Sequence, residues 1–202
     1  LEVVVDYVYD SSDPSAINYG PAITDARYVT VKYRHALLQM PEESGFTPRK
    51  DDARIGFFLT QVNDMTSPES TPWNDMIHRW RLEKKNPEAE LSEPVKPITW
   101  WIENTTPYEF RDYIKTGVEK WNLAFEKIGF KNAIVVKTQP DDADWDAGDI
   151  RYNVLRWTSS PTTPFSGYGP SFVNPRTGEI LGADVMLEYA GMARRLWKSE
   201  VF

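Results

Sequence analysis

The side chains that most often carry chemistry are few in this 202-residue sequence, and they stand apart. Neither His35 nor His78 belongs to an H-x-x-x-H pair, and no cysteine lies near either of them. A zinc site could use both histidines, but nothing in their spacing favours one, so a structural or surface role is preferred for each. The absence of cysteine also excludes disulfides, thiolate nucleophiles and Cys-ligated zinc within the chain.

One acidic run, Asp141 to Asp146, offers the carboxylate oxygens that calcium prefers. It lacks the spacing and the glycine of an EF-hand loop, so a solvated loop between strands is preferred and calcium is kept as the alternative. The sequence has no G-x-S-x-G nucleophile elbow, no phosphate-binding glycine loop and no H-E-x-x-H. From its residues alone, the chain carries no complete catalytic apparatus.

The composition is that of a globular protein, with 41% hydrophobic and 13% aromatic residues. A net charge of −7 without any basic run argues against nucleic acid as a partner. No apolar run approaches the roughly 18 residues needed to span a membrane. Because the sequence has no initiator Met and no signal peptide, we expect a fragment or a processed piece of a longer protein.

The elements that must position any site fall into two parts. Residues 1–92 form a β-rich upstream region, with strands predicted at 3–9, 28–38 and 55–60 by their β-branched and aromatic residues. A segment with two prolines, Ser92 to Pro97, then leads into a second region, residues 93–202.

The second region reads as α/β with a mixed sheet. Strands are predicted at 98–103, 133–138 and 149–157 from their alternating or β-branched patterns. Between the first two lies an amphipathic helix of about 22 residues, opened by a Thr106/Glu109 capping box and ended by Gly129. Strand, helix and strand with short connections predict a parallel βαβ unit.

A hairpin is predicted in Tyr168–Glu188, because Pro175 to Gly178 has turn chemistry between two apolar runs. After the turn, residues 183, 185 and 187 alternate with the more polar Asp184, Met186 and Glu188. We expect both strands to join the same sheet, and Asp184 to face outward.

The order of these elements resembles metzincin zinc metalloproteases. Pro97-Ile98-Thr99-Trp100 and the helix with Trp121-Asn122-Leu123-Ala124-Phe125 are similar to their opening strand and first helix. Gly148-Asp149-Ile150-Arg151-Tyr152 resembles their third strand, and Gly169-Pro170-Ser171-Phe172 the edge strand that forms the upper rim of the cleft.

The closer resemblance is to a group of large bacterial metzincin-like proteases, over roughly residues 28–190 and most strongly from 79 onward. It is carried by Arg81-Leu82-Glu83-Lys84-Lys85-Asn86-Pro87, by Lys120-Trp121-Asn122 with Ala124-Phe125-Glu126, by Gly129-Phe130-Lys131-Asn132-Ala133-Ile134 and by Pro175-Arg176-Thr177-Gly178-Glu179-Ile180. This resemblance implies the N-terminal half of a metzincin-like catalytic domain, a twisted mixed sheet of about five strands with a long helix packed on it.

The implied function is zinc-dependent hydrolysis of peptide bonds in an exported protein, which would be periplasmic, outer-membrane-associated or secreted. An extended peptide or protein substrate would bind along Tyr168, Gly169, Pro170, Ser171, Phe172 and Val173. The zinc-binding H-E-x-x-H-x-x-G-x-x-H is not found up to Phe202, so no zinc ligand or catalytic residue is assigned in this chain. The fragment alone is expected to be inactive, with the C-terminal remainder of the protease as its partner.

Two alternatives stay open from the sequence. The chain could be a non-catalytic protein- or glycan-binding module on a metzincin half-fold. Residues 1–92 could act as a pro-region that blocks the cleft, with a carboxylate as the blocking ligand because no cysteine is present.

Overall fold

The structure, a computed structural model, describes residues 1–12, 27–40, 42, 44–160 and 165–201. The chain divides into two compact units, Leu1–Pro41 and Glu42–Phe202. The first unit is an antiparallel ribbon of β1 (Glu2–Asp10) and β2 (Tyr28–Ala36). The two strands predicted there are confirmed.

The second unit contains the other ten strands and three helices of the described chain. Its strands are β3 (Leu59–Thr60), β4 (Met76–Ile77), β5 (Arg79–Trp80), β6 (Ile98–Ile102), β7 (Ile134–Thr138), β8 (Asn153–Thr158), β9 (Gly167–Tyr168), β10 (Ser171–Val173), β11 (Glu179–Ala183) and β12 (Val185–Glu188). Its helices are α1 (Tyr108–Glu119), α2 (Asn122–Glu126) and α3 (Tyr189–Val201). The strand predicted at 55–60 is wrong except for its last two residues, which form β3 against β4.

A five-stranded mixed sheet organises this unit, in the order β7-β6-β8-β12-β9. Neighbouring strands within this sheet are parallel, except that β9 runs antiparallel to β12. The β6–α1–α2–β7 crossover confirms the predicted βαβ unit, and the fold is mixed α and β. Its core is a cluster of buried aliphatic side chains from three strands: Ile98, Ile102, Ile134, Val136 and Leu155.

The helical segment differs from its prediction at both its start and its middle. It forms α1 and α2, separated by Lys120 and Trp121, instead of one helix. The capping box is wrong: Pro107 is the N-cap, and no side chain caps the first turn. The end is as predicted, since Gly129 has φ 89° and the Phe130 N–H donates to the Phe125 carbonyl at 3.0 Å.

The predicted hairpin is confirmed as β10 and β11, but its sheet is not the predicted one. The two strands belong to a three-stranded sheet, in the order β10-β11-β5. β11 pairs in parallel with β5 instead of with a strand of the five-stranded sheet. An ion pair stabilises this pairing, since Arg81 Nε and Nη2 donate to the Glu179 carboxylate at 2.7 and 3.0 Å. Immediately before and after this hairpin the chain lies in the five-stranded sheet, in β9 and β12.

The hairpin turn requires a glycine. Gly178 has φ 74°, and a Cβ added there would lie 2.5 Å from the backbone oxygen of Ile77. Asn174, buried at 2% exposure, supports the turn by accepting the Arg176 N–H at 2.9 Å through Oδ1.

We expect Gly178→Ala to lower the free energy of unfolding by at least about 1–2 kcal/mol. The alanine would have to adopt the left-handed conformation, and its Cβ would clash with the Ile77 carbonyl oxygen. Gly117→Ala is the matched control. Gly117 lies within α1 with nothing within 4 Å of an added Cβ, so this change should raise the free energy of unfolding by about 0.5–1 kcal/mol. Urea denaturation measures both. Equal midpoints for Gly178→Ala and the wild type would contradict this account of the turn.

Candidate functional site

The predicted substrate-binding residues, Tyr168 to Val173, lie along the edges of two sheets. Tyr168 in β9 pairs with Met186, and Ser171 and Phe172 in β10 pair with Ala183 and Gly182. Gly169 and Pro170 lie between β9 and β10, and the register of pairing is the same before and after them. Residues 167–172 therefore run antiparallel to β12 and β11 without interruption. In the described part of the chain, β9 and β10 are end strands of their sheets.

The outward direction of this edge follows from one hydrogen bond. The Asp184 N–H donates to the Pro170 carbonyl at 3.1 Å, so the backbone of Pro170 faces inward. Because antiparallel pairs alternate between bonded and non-bonded residues, Gly169 and Ser171 direct their N–H and C=O groups outward. Pro170, which has no N–H, therefore removes no donor from the outer side.

The side chains along the edge add little chemistry. Tyr168 is 56% exposed, Gly169 has no side chain, and Phe172 and Val173 are half-buried. What the edge offers is backbone hydrogen bonding, the kind of surface to which an extended peptide adds as a further strand. This outward pattern could not be found from sequence, because it depends on the register.

Asp184 does not face outward, which corrects the expectation from alternation. It is 9% exposed, and its Oδ1 accepts the Val154 N–H at 3.1 Å. Burial raises the pKa of this carboxyl, although the hydrogen bond from Val154 and the charge of Arg156 partly oppose the rise. Alternation does not separate buried from exposed residues here, because Asp184 and Glu188 are buried whereas residues 185–187 are half-buried.

Glu188 is a second buried carboxylate, at 1% exposure, that sequence reasoning missed. Its Oε1 accepts the backbone N–H groups of Ser160 at 2.9 Å and Ala190 at 3.3 Å, and Oε2 accepts the Thr158 hydroxyl at 2.9 Å. These hydrogen bonds, the one from Ser160 first, lower the pKa of Glu188. Since α3 begins at Tyr189, Glu188 also supports the first turn of that helix.

The two carboxyls predict opposite pH dependences of stability. The folded pKa of Asp184 is raised, so its ionisation destabilises the fold as pH rises. Asp184→Asn keeps a hydrogen-bond acceptor and does not ionise, so its stability relative to the wild type should increase between about pH 3 and pH 7. The folded pKa of Glu188 is lowered, so Glu188→Gln should be less stable at neutral pH, with the gap closing as pH falls. Thermal unfolding at both pH values measures this; the same trend in both variants would contradict it.

An apolar groove of about 650 Å³ lies beside the contact of α1 with the five-stranded sheet. Trp80, Trp100 and Trp157 line its sheet side, and Ile114 and Val118 line its helix side. The amphipathic pattern of the helix predicted that α1 would pack on the sheet. It did not predict that other apolar side chains of the helical segment would remain exposed to solvent in the groove. Two residues that line the groove, Tyr113 and Trp121, are 78% and 64% exposed.

The two histidines lie in different units of the chain. His35 lies in β2, in the first unit, beside the ring of Tyr33. His78, in the second unit, has Nε2 3.0 Å from the Thr60 hydroxyl, and burial lowers its pKa. Within the described ranges no group of three His, Cys, Asp or Glu side chains is placed to hold a metal, and this includes Asp141 to Asp146.

Comparisons with known proteins are sparse. A family model described as a domain of unknown function, DUF5117, matches residues 3–85, which is less than half of the chain and includes parts of both units. No curated protein and no solved structure matches the sequence. Among the residues that the structure describes, none of the helices combines the length and apolarity needed to cross a membrane.

Proposed function

We propose that this chain is the upstream part of a metzincin-like zinc endopeptidase, and that residues 168–173 form the upper rim of its substrate cleft. The observation that carries the proposal is the outward-facing edge described above. Gly169 and Ser171 are alternate residues that present their backbone groups outward along the end strands of the two sheets, on the segment whose sequence resembles the metzincin edge strand.

The edge would bind substrate through its backbone. An extended peptide pairing with Gly169 and Ser171 would gain main-chain hydrogen bonds that do not depend on its sequence, and the scissile bond would be held in a fixed orientation. This role needs no catalytic side chain, which agrees with the residue types present. Zinc bound by residues beyond Phe202 would polarise the scissile carbonyl and lower the pKa of a bound water.

The apolar groove supports a partner for this unit. Tryptophan side chains lining a concave surface are buried in most proteins, because each removes a large apolar area from water. The C-terminal remainder of the same protease would supply the cover over α1 and the sheet. An exported location belongs to the proposal through the family resemblance alone.

The decisive experiment is to read the gene beyond the codon for Phe202 and to express the longer protein. We expect an H-E-x-x-H within several tens of residues, one bound zinc per chain and cleavage of casein, while the 202-residue chain alone stays inactive. The matched control replaces the motif glutamate by alanine. Absence of the motif, or equal casein cleavage by that variant, would refute the protease assignment.

The rim itself is tested at Ser171 in the longer protein. Ser171→Pro removes an outward N–H without touching the inward ladder, and should lower kcat/KM for a peptide substrate by roughly 5- to 50-fold. Ser171→Ala, which keeps the N–H, should match the wild type. Far-UV circular dichroism checks folding, and equal kcat/KM values for all three proteins would show that substrate does not bind along this edge.

The alternative is a non-catalytic protein-binding module that kept the same half-fold. The outward-facing edge at residues 168–173 favours this alternative equally, because it can pair with a strand of a partner protein as well as with an extended substrate. The longer protein distinguishes the two, since a binding module would hold partner without zinc and without cleavage.

A further inference from the structure

A second cavity of about 430 Å³ opens between the three-stranded sheet and the start of β6. We call it the polar cleft. The lining residues used below are Arg81, Thr99, Trp101, Tyr152 and Glu179. They come from strands of both sheets and from the turn before β8, and none belongs to the predicted substrate edge.

The charges of the polar cleft are compensated within the chain. Arg81 is held by Glu179 through two hydrogen bonds and lies 3.7 Å from Glu83. Arg151, at the cleft wall, is paired in the same way with Asp149. Only Lys96 has no partner in the described chain; it is exposed, and its charge is opposite to that of the exposed Glu83. The cleft therefore has no surplus charge with which to select an ion.

Neutral hydrogen-bonding groups are left over instead. Among the described residues, neither the Tyr152 hydroxyl nor the Thr99 hydroxyl has a hydrogen-bond partner. These groups stand beside aromatic rings whose positions are fixed. Trp145 stacks on Tyr152 at 3.8 Å and 9°, and Trp101 contacts the rings of Trp145 and Tyr152 edge-on. Lys137 and Arg151 lie over the rings of Trp101 and Tyr152 at 5.2 and 5.7 Å from the ring centroids. Rings held by stacking are pre-organised, so little side-chain entropy is lost on binding.

The backbone around the cleft is largely occupied. The residues of β6 are paired with β7 on one side and, from Trp100 onward, with β8 on the other. The Thr99 carbonyl accepts the Asn153 amide at 2.8 Å, and the Val95 N–H donates to Glu83. An extended peptide would find few backbone partners there, so recognition has to come from side chains.

We propose that the polar cleft binds a short neutral oligosaccharide. A sugar ring has an apolar face that packs on the parts of the half-buried Trp101 and Tyr152 rings that their neighbours leave exposed. Its hydroxyls exchange hydrogen bonds with Tyr152, Thr99 and the free acceptor positions of Glu179. The cavity volume lies within the range of small-ligand sites, and the compensated charges suit an uncharged ligand. This binding does not depend on the proposed protease activity.

The test is isothermal titration calorimetry of the 202-residue chain with maltotriose, cellotriose and triacetylchitotriose, together with trigalacturonate and trialanine. We expect at least one neutral trisaccharide to bind with a Kd of about 1 mM or lower, and at least about 10-fold more tightly than trigalacturonate and trialanine. Tyr152→Phe combined with Thr99→Val keeps the packing and removes both hydroxyls, so it should weaken binding by about 5-fold or more. Tyr108→Phe, on the exposed face of α1, is the control and should bind as the wild type does.

Three results would overturn the proposal. They are no heat of binding for any neutral trisaccharide at millimolar concentration, equal affinity in the double variant, or an equal affinity for trialanine. Because Tyr152→Phe and Thr99→Val conserve shape, the melting temperature of the double variant separates lost binding from lost folding.

Discussion

The position of Asp184 between β11 and β12 is the constraint on which the C-terminal part of the structure depends. At this residue the chain leaves the three-stranded sheet and enters the five-stranded one. Its N–H holds Pro170 of the edge segment, and its carboxylate holds the Val154 N–H of β8. One residue thus ties the edge to both sheets, and burial of its carboxyl is the energetic cost of that junction.

Local patterns predicted the elements well where neighbours along the chain decide them. The alternation of β6, the glycine at 129 and the turn at Gly178 all have causes within a few residues. The helix was placed correctly but predicted as one piece, because its apolar spacing continues through Lys120 and Trp121, the two residues that separate α1 from α2. Propensity alone does not report such an interruption.

Contacts between distant residues explain what sequence could not supply. The hairpin was expected in the main sheet, yet β11 pairs with β5 through Arg81 and Glu179, and no local signal marks that partnership. The candidate edge was located through the family resemblance of its sequence. Its outward residues, Gly169 and Ser171, required the register, and the buried states of Asp184 and Glu188 required knowledge of what covers β12.

The separation between Arg81 and Glu179 also has a consequence for the order of folding. These residues lie 98 positions apart, whereas β6 and β7 are joined by one local crossover. Closing a long loop costs entropy before its contacts are gained, so the βαβ unit is favoured to form before the three-stranded sheet. During synthesis, the Arg81 guanidinium meets its carboxylate only after 98 further residues have been added.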